Sequence, residues 1–206
     1  VVSVVLSRLL TPDEYGLIGI ANILIVILAG FVDCGFSSAL VRKTDCRDED
    51  YSTMFATNLF MSVVVYVILF FSAPLAAAFF EREEVTLLIR VMSLSMLIGP
   101  FGAVQGLVLT KRLDFKTPTK ISLIRAIVSG GVGIAMAFAG YGVWALVGSS
   151  LVGSLLGMVL LRTFVRWSPK FRFSRASFNY MWGFGWKMML SGLARFKPVA
   201  TAGARP

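Results

Sequence analysis

From Ala126 to Leu161 the chain carries no charged residue. As one straight helix that run would extend roughly 54 Å, at 1.5 Å per residue, against a hydrocarbon core of about 30 Å. It is too apolar for an exposed loop and too long for one crossing, so it has to fold back. The strong turn signal inside it is Gly140-Tyr141-Gly142, which divides it into helices over 121–139 and 143–161. That hairpin alone points to a polytopic helical membrane protein.

The rest of the chain reads the same way. Val1 to Leu10 is apolar but only about half the roughly 20 residues of a span, so the chain is expected to begin inside a first helix, 1–10. No basic leader or small-residue cleavage site precedes it, which argues against a signal peptide. Further helices are expected over 12–40, 51–78 and 87–110, with the start of a seventh over 178–194 and an irregular tail over 195–206. The expected fold is all-α: a transmembrane bundle over 1–177 of about six helices, the first truncated, followed by the beginning of another. Composition agrees, with 57% hydrophobic and 15% charged residues against about 45–50% and about 25% in soluble domains.

The net charge of +9 would suggest nucleic acid in a soluble protein. Here the basic residues punctuate apolar runs, so the counterpart is a membrane surface and no nucleic acid is expected. Arg42, Lys43 and Arg47, then Lys111, Arg112, Lys116, Lys120 and Arg125, then Arg162, Arg166, Lys170, Arg172 and Arg175 fall on one side of the spans. Arg8, Arg82 and Arg90 fall on the other, and the basic-rich side is expected to be cytoplasmic. The stretch "RTFVRWSPKFRFSRASFNYMW" then reads as an interfacial anchor to anionic headgroups. There is no histidine, which removes the usual general base, the usual zinc ligand and a Ser-His-Asp triad. Cys34 and Cys46 lack metal-type spacing. Nothing resembles a phosphate-binding loop, so no cofactor, metal or catalytic residue is expected, and any energy for transport would come from an ion gradient or from substrate flux.

Several polar residues stand out against this background. Thr11-Pro12-Asp13-Glu14 has a Thr cap, Pro at the first helical position and Glu three residues after the cap, a capping box that starts the second helix. Arg8, just before it, is either a snorkelling arginine or a cation turned to a central cavity and an anionic substrate. Asp33 lies roughly 32 Å along the second helix from Pro12, near the inner membrane edge. It is either an interfacial acid paired with Arg42 or Lys43, or a cavity-lining or ion-coupling acid, and Gly35 after it permits a bend. "IGPFGAVQG", Ile98 to Gly106, suggests a kink at Gly99-Pro100 and a small-residue packing face at Gly102 and Gly106. Gln105, Asn22 and Asn58 are intramembrane amides that serve either helix packing or substrate contact, and Gly153 with Gly157 reads as a second packing face.

Taken in order, "SRLLTPDEYGL", "DCGFSSALVR", "LTKRLDFK", "GYGVWALV" and "FGWKMMLSGL" resemble the oligosaccharide flippases among the polysaccharide biosynthesis proteins, in the multidrug/oligosaccharidyl-lipid/polysaccharide exporter superfamily. The resemblance covers Val1 to Leu193. It implies two bundles of about six helices around a central cationic cavity, of which this chain would be the first and the start of the second. It implies movement of polyprenyl-diphosphate-linked sugars across the bacterial cytoplasmic membrane by alternating access, for cell-surface polysaccharide or lipopolysaccharide. The family's first-helix arginine falls on Arg8 and its Asp-x-Gly on Asp33 and Gly35. The implied partners are lipid-linked oligosaccharide, membrane lipids and other membrane proteins of polysaccharide assembly. An exporter of drugs or small metabolites would share the fold. A membrane-bound transferase would need a catalytic acid or base in loops that are very short here.

Overall fold

A computed structural model describes residues 12–165 and 173–195 of the chain, and over them the protein is helical, with no strand. The helices are α1 (Pro12–Asp33), α2 (Phe36–Arg42), α3 (Asp48–Phe79), α4 (Glu84–Lys111), α5 (Lys116–Phe138), α6 (Val143–Phe164) and α7 (Arg175–Arg195). Among the described residues α1, α3, α4, α5 and α6 are long and apolar enough to cross a membrane. At about 1.5 Å per residue, α3 extends roughly 48 Å, so it overhangs a hydrocarbon core of about 30 Å.

Local chemistry sets where each helix starts and stops. Asp48, Glu49 and Asp50 occupy the first turn of α3, where carboxylates favour the helix dipole. Asp50 reaches back to accept the Arg47 N–H at 2.9 Å. At the head of α5, Asp114 accepts the N–H groups of Lys116 and Thr117, both at 3.1 Å, and the Thr117 hydroxyl at 2.6 Å. Those bonds, the Thr117 hydroxyl first, hold the Asp114 carboxyl below its ordinary pKa. The turn from α5 to α6 needs positive φ at Gly140 (82°) and Gly142 (51°), a conformation that glycine adopts without a Cβ penalty.

The α3–α4 hairpin is the centre of the bundle. α1 lies against both of its helices, α6 packs on α4, and α5 is held chiefly by α6. One core, with Ala21, Leu69, Val85, Ile89 and Val147, fills the half near the short turns. A second, with Phe36, Leu40, Met54, Phe55, Val104 and Met181, fills the opposite end, where α2 and α7 pair. Glycines set the α5–α6 spacing: a Cβ on Gly153 would meet Ser129 Cβ at 3.3 Å, and one on Gly133 would meet Ser149 Cβ at 3.0 Å. On α4 the expected small-residue pair is only half used. A Cβ on Gly102 would meet Leu161 at 3.1 Å, whereas nothing lies within 4 Å of one on Gly106.

The basic connections gather at one end of the bundle. Lys111 donates to the Lys43 carbonyl, the Ser174 N–H donates to Thr53 Oγ1 at 3.0 Å, and Val165 packs on Val108 and Leu109. The 139–142 turn meets Glu84, Leu87 and Leu88 at the other end. With the basic end inside the cell, a cysteine placed at the exposed Glu83 reacts with a membrane-impermeant maleimide on intact cells, and Cys46 does not. Labelling of Cys46 with protection of position 83 would reverse the orientation.

Candidate functional site

Asp33 ends α1, and the chain then turns through two left-handed residues, Cys34 (φ 46°) and Gly35 (φ 74°), before α2 begins. A non-glycine residue in that region is strained, so Gly35 carries half of an elbow that an unbroken helix would not have. The Asp33 carboxylate stays over the elbow. It accepts the Ser37 hydroxyl at 2.5 Å and faces the Ser37 N–H at 3.4 Å, capping α2. Neither Arg42 nor Lys43 pairs with it. Arg42 lies over the Phe184 ring at 4.8 Å, and Lys43 binds both oxygens of Asp50 at 2.8 and 2.9 Å.

Above the elbow is a cavity of about 280 Å³. α1 supplies Ile25, Ala29, Val32 and Asp33, α3 supplies Asn58, and α4 supplies Ser95, Met96, Gly99, Pro100 and Ala103. Asp33 and Asn58 thus line one cavity, and the α3–α4 hairpin sets Asn58 level with the Gly99-Pro100 step. Helix α4 continues through Pro100 although proline has no N–H to give, so its ladder is weakest beside the cavity.

The polar groups here are not all paired. Among the described residues Asn58 Oδ1, Ser62 Oγ and Gln105 Oε1 are buried without a hydrogen-bond partner, and the three residues are 2%, 0% and 2% exposed. An unsatisfied buried polar group costs about 1–3 kcal/mol, so a packing-only role leaves these amides unexplained. Asn58 and Ser62 are one turn apart on α3, with Asn58 at the cavity wall.

The structure therefore brings two sequence candidates, Asp33 and Asn58, onto one cavity. Gln105 is buried on α4 beyond the cavity-lining stretch, and Asn22 is exposed one turn above Ile25. Arg8 and Thr11 lie outside the described residues, as does the side chain of Glu14. Ser95 was not singled out in the sequence and lines the wall. Arg125, inside the helix expected over 121–139, lies deeper in α5 than that start implies, because the helix begins at Lys116 behind the Asp114 cap. Among the described residues no cluster of His, Cys, Asp and Glu forms a metal site.

Comparison with known proteins agrees with this architecture. The chain is 30% identical over 156 residues to the teichuronic acid biosynthesis protein TuaB of Bacillus subtilis, covering 75% of this chain and 32% of that protein. It is 28% identical over 192 residues to the succinoglycan biosynthesis transport protein ExoT of Rhizobium meliloti, covering 93% and 39% respectively. Against the lipopolysaccharide biosynthesis protein WzxC of Escherichia coli, identity is 23% over 128 residues, 61% of this chain and 25% of that protein. The match thus spans about a third of the length of these relatives. No solved structure gives a significant match. The profile of the family described as polysaccharide biosynthesis protein matches residues 5–198, nearly the whole chain and every helix described above, and the chain belongs to that family of multi-pass membrane proteins.

Proposed function

We propose that this chain forms one lobe of a flippase that carries polyprenyl-diphosphate-linked oligosaccharides across the bacterial cytoplasmic membrane for surface polysaccharide or lipopolysaccharide assembly. The observation that carries the reading is the cavity that joins Asp33 and Asn58 to the Gly99-Pro100 step of α4. A lipid-linked sugar has a polar head that cannot cross bare hydrocarbon cheaply. The cavity wall is mostly apolar, but Asp33, Asn58 and Ser95 in it offer that head polar partners, and the weakened helix beside them gives the lobe a place to bend. The lipid tail remains in the bilayer. Arg8, before α1, supplies the cation for the diphosphate in this reading, and Asp33 either couples an ion or maintains the elbow. The transport name of one relative and the absence of histidine from the chain support a carrier in place of a catalyst. Lipid-linked oligosaccharide and the assembly proteins that deliver and receive it are the proposed partners.

The test is complementation of a flippase-deficient strain, normalised to membrane abundance. Asp33→Asn keeps the oxygen that caps Ser37 and retains most export, whereas Asp33→Leu loses the cap and a polar partner in the cavity together and loses export. Collapse of export in Asp33→Asn at normal abundance assigns the charge to ion coupling. Full export by Asp33→Leu removes the cavity from the mechanism.

A further inference from the structure

Arg125 has no task in the site just described, and its surroundings differ from those of Arg42, Lys43 and Arg90. It lies roughly 14 Å along α5 from Lys116, at about 1.5 Å per residue. Its side chain lies across Gly157 of α6. A Cβ there would meet Arg125 Cδ at 2.9 Å, Nε at 3.1 Å and Nη1 at 3.2 Å. Gly157 itself is roughly 10 Å from the Phe164 end of α6, so both residues of the pair belong to helices apolar and long enough to span a membrane, away from the helix ends. Arg90, by contrast, stacks on Phe70 at 4.2 Å and donates to its carbonyl, and Lys43 is paired with Asp50. No carboxylate among the described residues pairs with Arg125.

The guanidinium borders a groove of about 320 Å³ whose walls include Ser95, Gly99, Gly102, Ser154 and Gly157. Ser95 and Ser154 give their protons to the carbonyls of Met92 and Ser150, which leaves Arg125 as the group with donors to offer. The flank of α5 around it, with Leu123, Ile124 and Ile127, is exposed and apolar. An unpaired cation in hydrocarbon is expensive, and such residues mark functional sites by default. A planar fork of donors matches two phosphate oxygens at once, and an apolar flank beside it suits acyl or prenyl chains. We infer that Arg125 and the groove over Gly157 bind a phosphate carried by a lipid. Ser95 and Gly99 border this groove on one side of α4 and the Asp33 cavity on the other, so an occupied anion site abuts the Gly99-Pro100 step. The inference goes beyond the transport reading and stands without it.

Native mass spectrometry of the purified protein in detergent tests it, with phosphatidylglycerol, undecaprenyl diphosphate and, as a phosphate-free control, diacylglycerol. Arg125→Gln weakens binding of at least one phosphate lipid about tenfold, the scale of a lost charge-assisted pair, and leaves diacylglycerol binding unchanged. Gly157→Ala keeps the charge but pushes the guanidinium aside, and weakens the same lipid, which supplies the test if Arg125→Gln fails to fold. Loss confined to phosphatidylglycerol identifies a bilayer lipid as the occupant, and loss confined to undecaprenyl diphosphate identifies the prenyl carrier. Equal binding of both phosphate lipids by the wild type and the folded variants overturns the inference. The assay has no transport step, so its failure is distinct from failure of the export test.

Discussion

Asp50→Ala lowers the stability of the detergent-solubilised protein by roughly 3 kcal/mol, the low end of the cost of breaking a buried ion pair. For a chain of this size that is a fall in Tm of roughly 6–12 °C. The Asp50 side chain is 2% exposed and joins three segments at the basic end of the bundle. Its oxygens take the Lys43 ammonium from the connection after α2, the Arg47 N–H at the head of α3 and the Ser177 hydroxyl in the first turn of α7. Lys43 is 28% exposed and can turn to water when its partner is gone, which is why the low end of the range applies. The converse change is different in kind: Lys43→Met leaves the carboxylate buried with only neutral donors. The double variant Asp50→Leu with Lys43→Met therefore recovers part of the loss, because neither charge is then left alone. Thermal unfolding followed by tryptophan fluorescence measures all three. If Asp50→Ala melts with the wild type, the carboxylate does not tie α7 to the bundle.

The contrast between Asp50 and Asp33 shows what can be read before a structure exists. Apolar runs, glycine turns and the bias of basic residues depend on neighbours in sequence, and they suffice for the all-α transmembrane fold. Pairing across a connection does not follow from such patterns. Lys43 has Asp33 ten residues behind it and Asp50 seven residues ahead, and only the folded structure shows that the second is in reach. The meeting of Asp33 with Asn58 is likewise a tertiary fact, set by how α1 lies on the α3–α4 hairpin. The start of α5 comes earlier than expected for a local reason: the apolar run begins at Ile121, but the Asp114 cap starts the helix at Lys116, which sets Arg125 deeper in the helix than the run alone implies. Gly102 and Gly106 have the same spacing signal, yet α6 presses only on the first, because motif spacing does not say which face of α4 a neighbour occupies.

Two glycines of α7 provide the sharpest contrast of this kind, since they are two residues apart and exposed to opposite demands. A Cβ on Gly185 would run into the Cys34 carbonyl oxygen and sit 3.0 Å from the Phe36 ring. The first of these neighbours is backbone at the strained elbow and cannot rotate away. Nothing lies within 4 Å of a Cβ on Gly183. Alanine is favoured over glycine in a helix by roughly 1 kcal/mol, so Gly183→Ala stabilises the protein by up to about that amount. At Gly185 the same intrinsic gain is outweighed by overpacking, which costs about 1–3 kcal/mol or more when backbone has to move. Gly185→Ala therefore destabilises, and Gly185→Leu separates α7 from the elbow altogether. The damage is expected to reach function as well, because the displaced carbonyl belongs to the residue next to Asp33. Thermal unfolding of the two alanine variants side by side reads the sign directly. Equal shifts in the same direction would mean that α7 does not rest on Cys34 and Phe36, and that Asp33 is held by α2 alone.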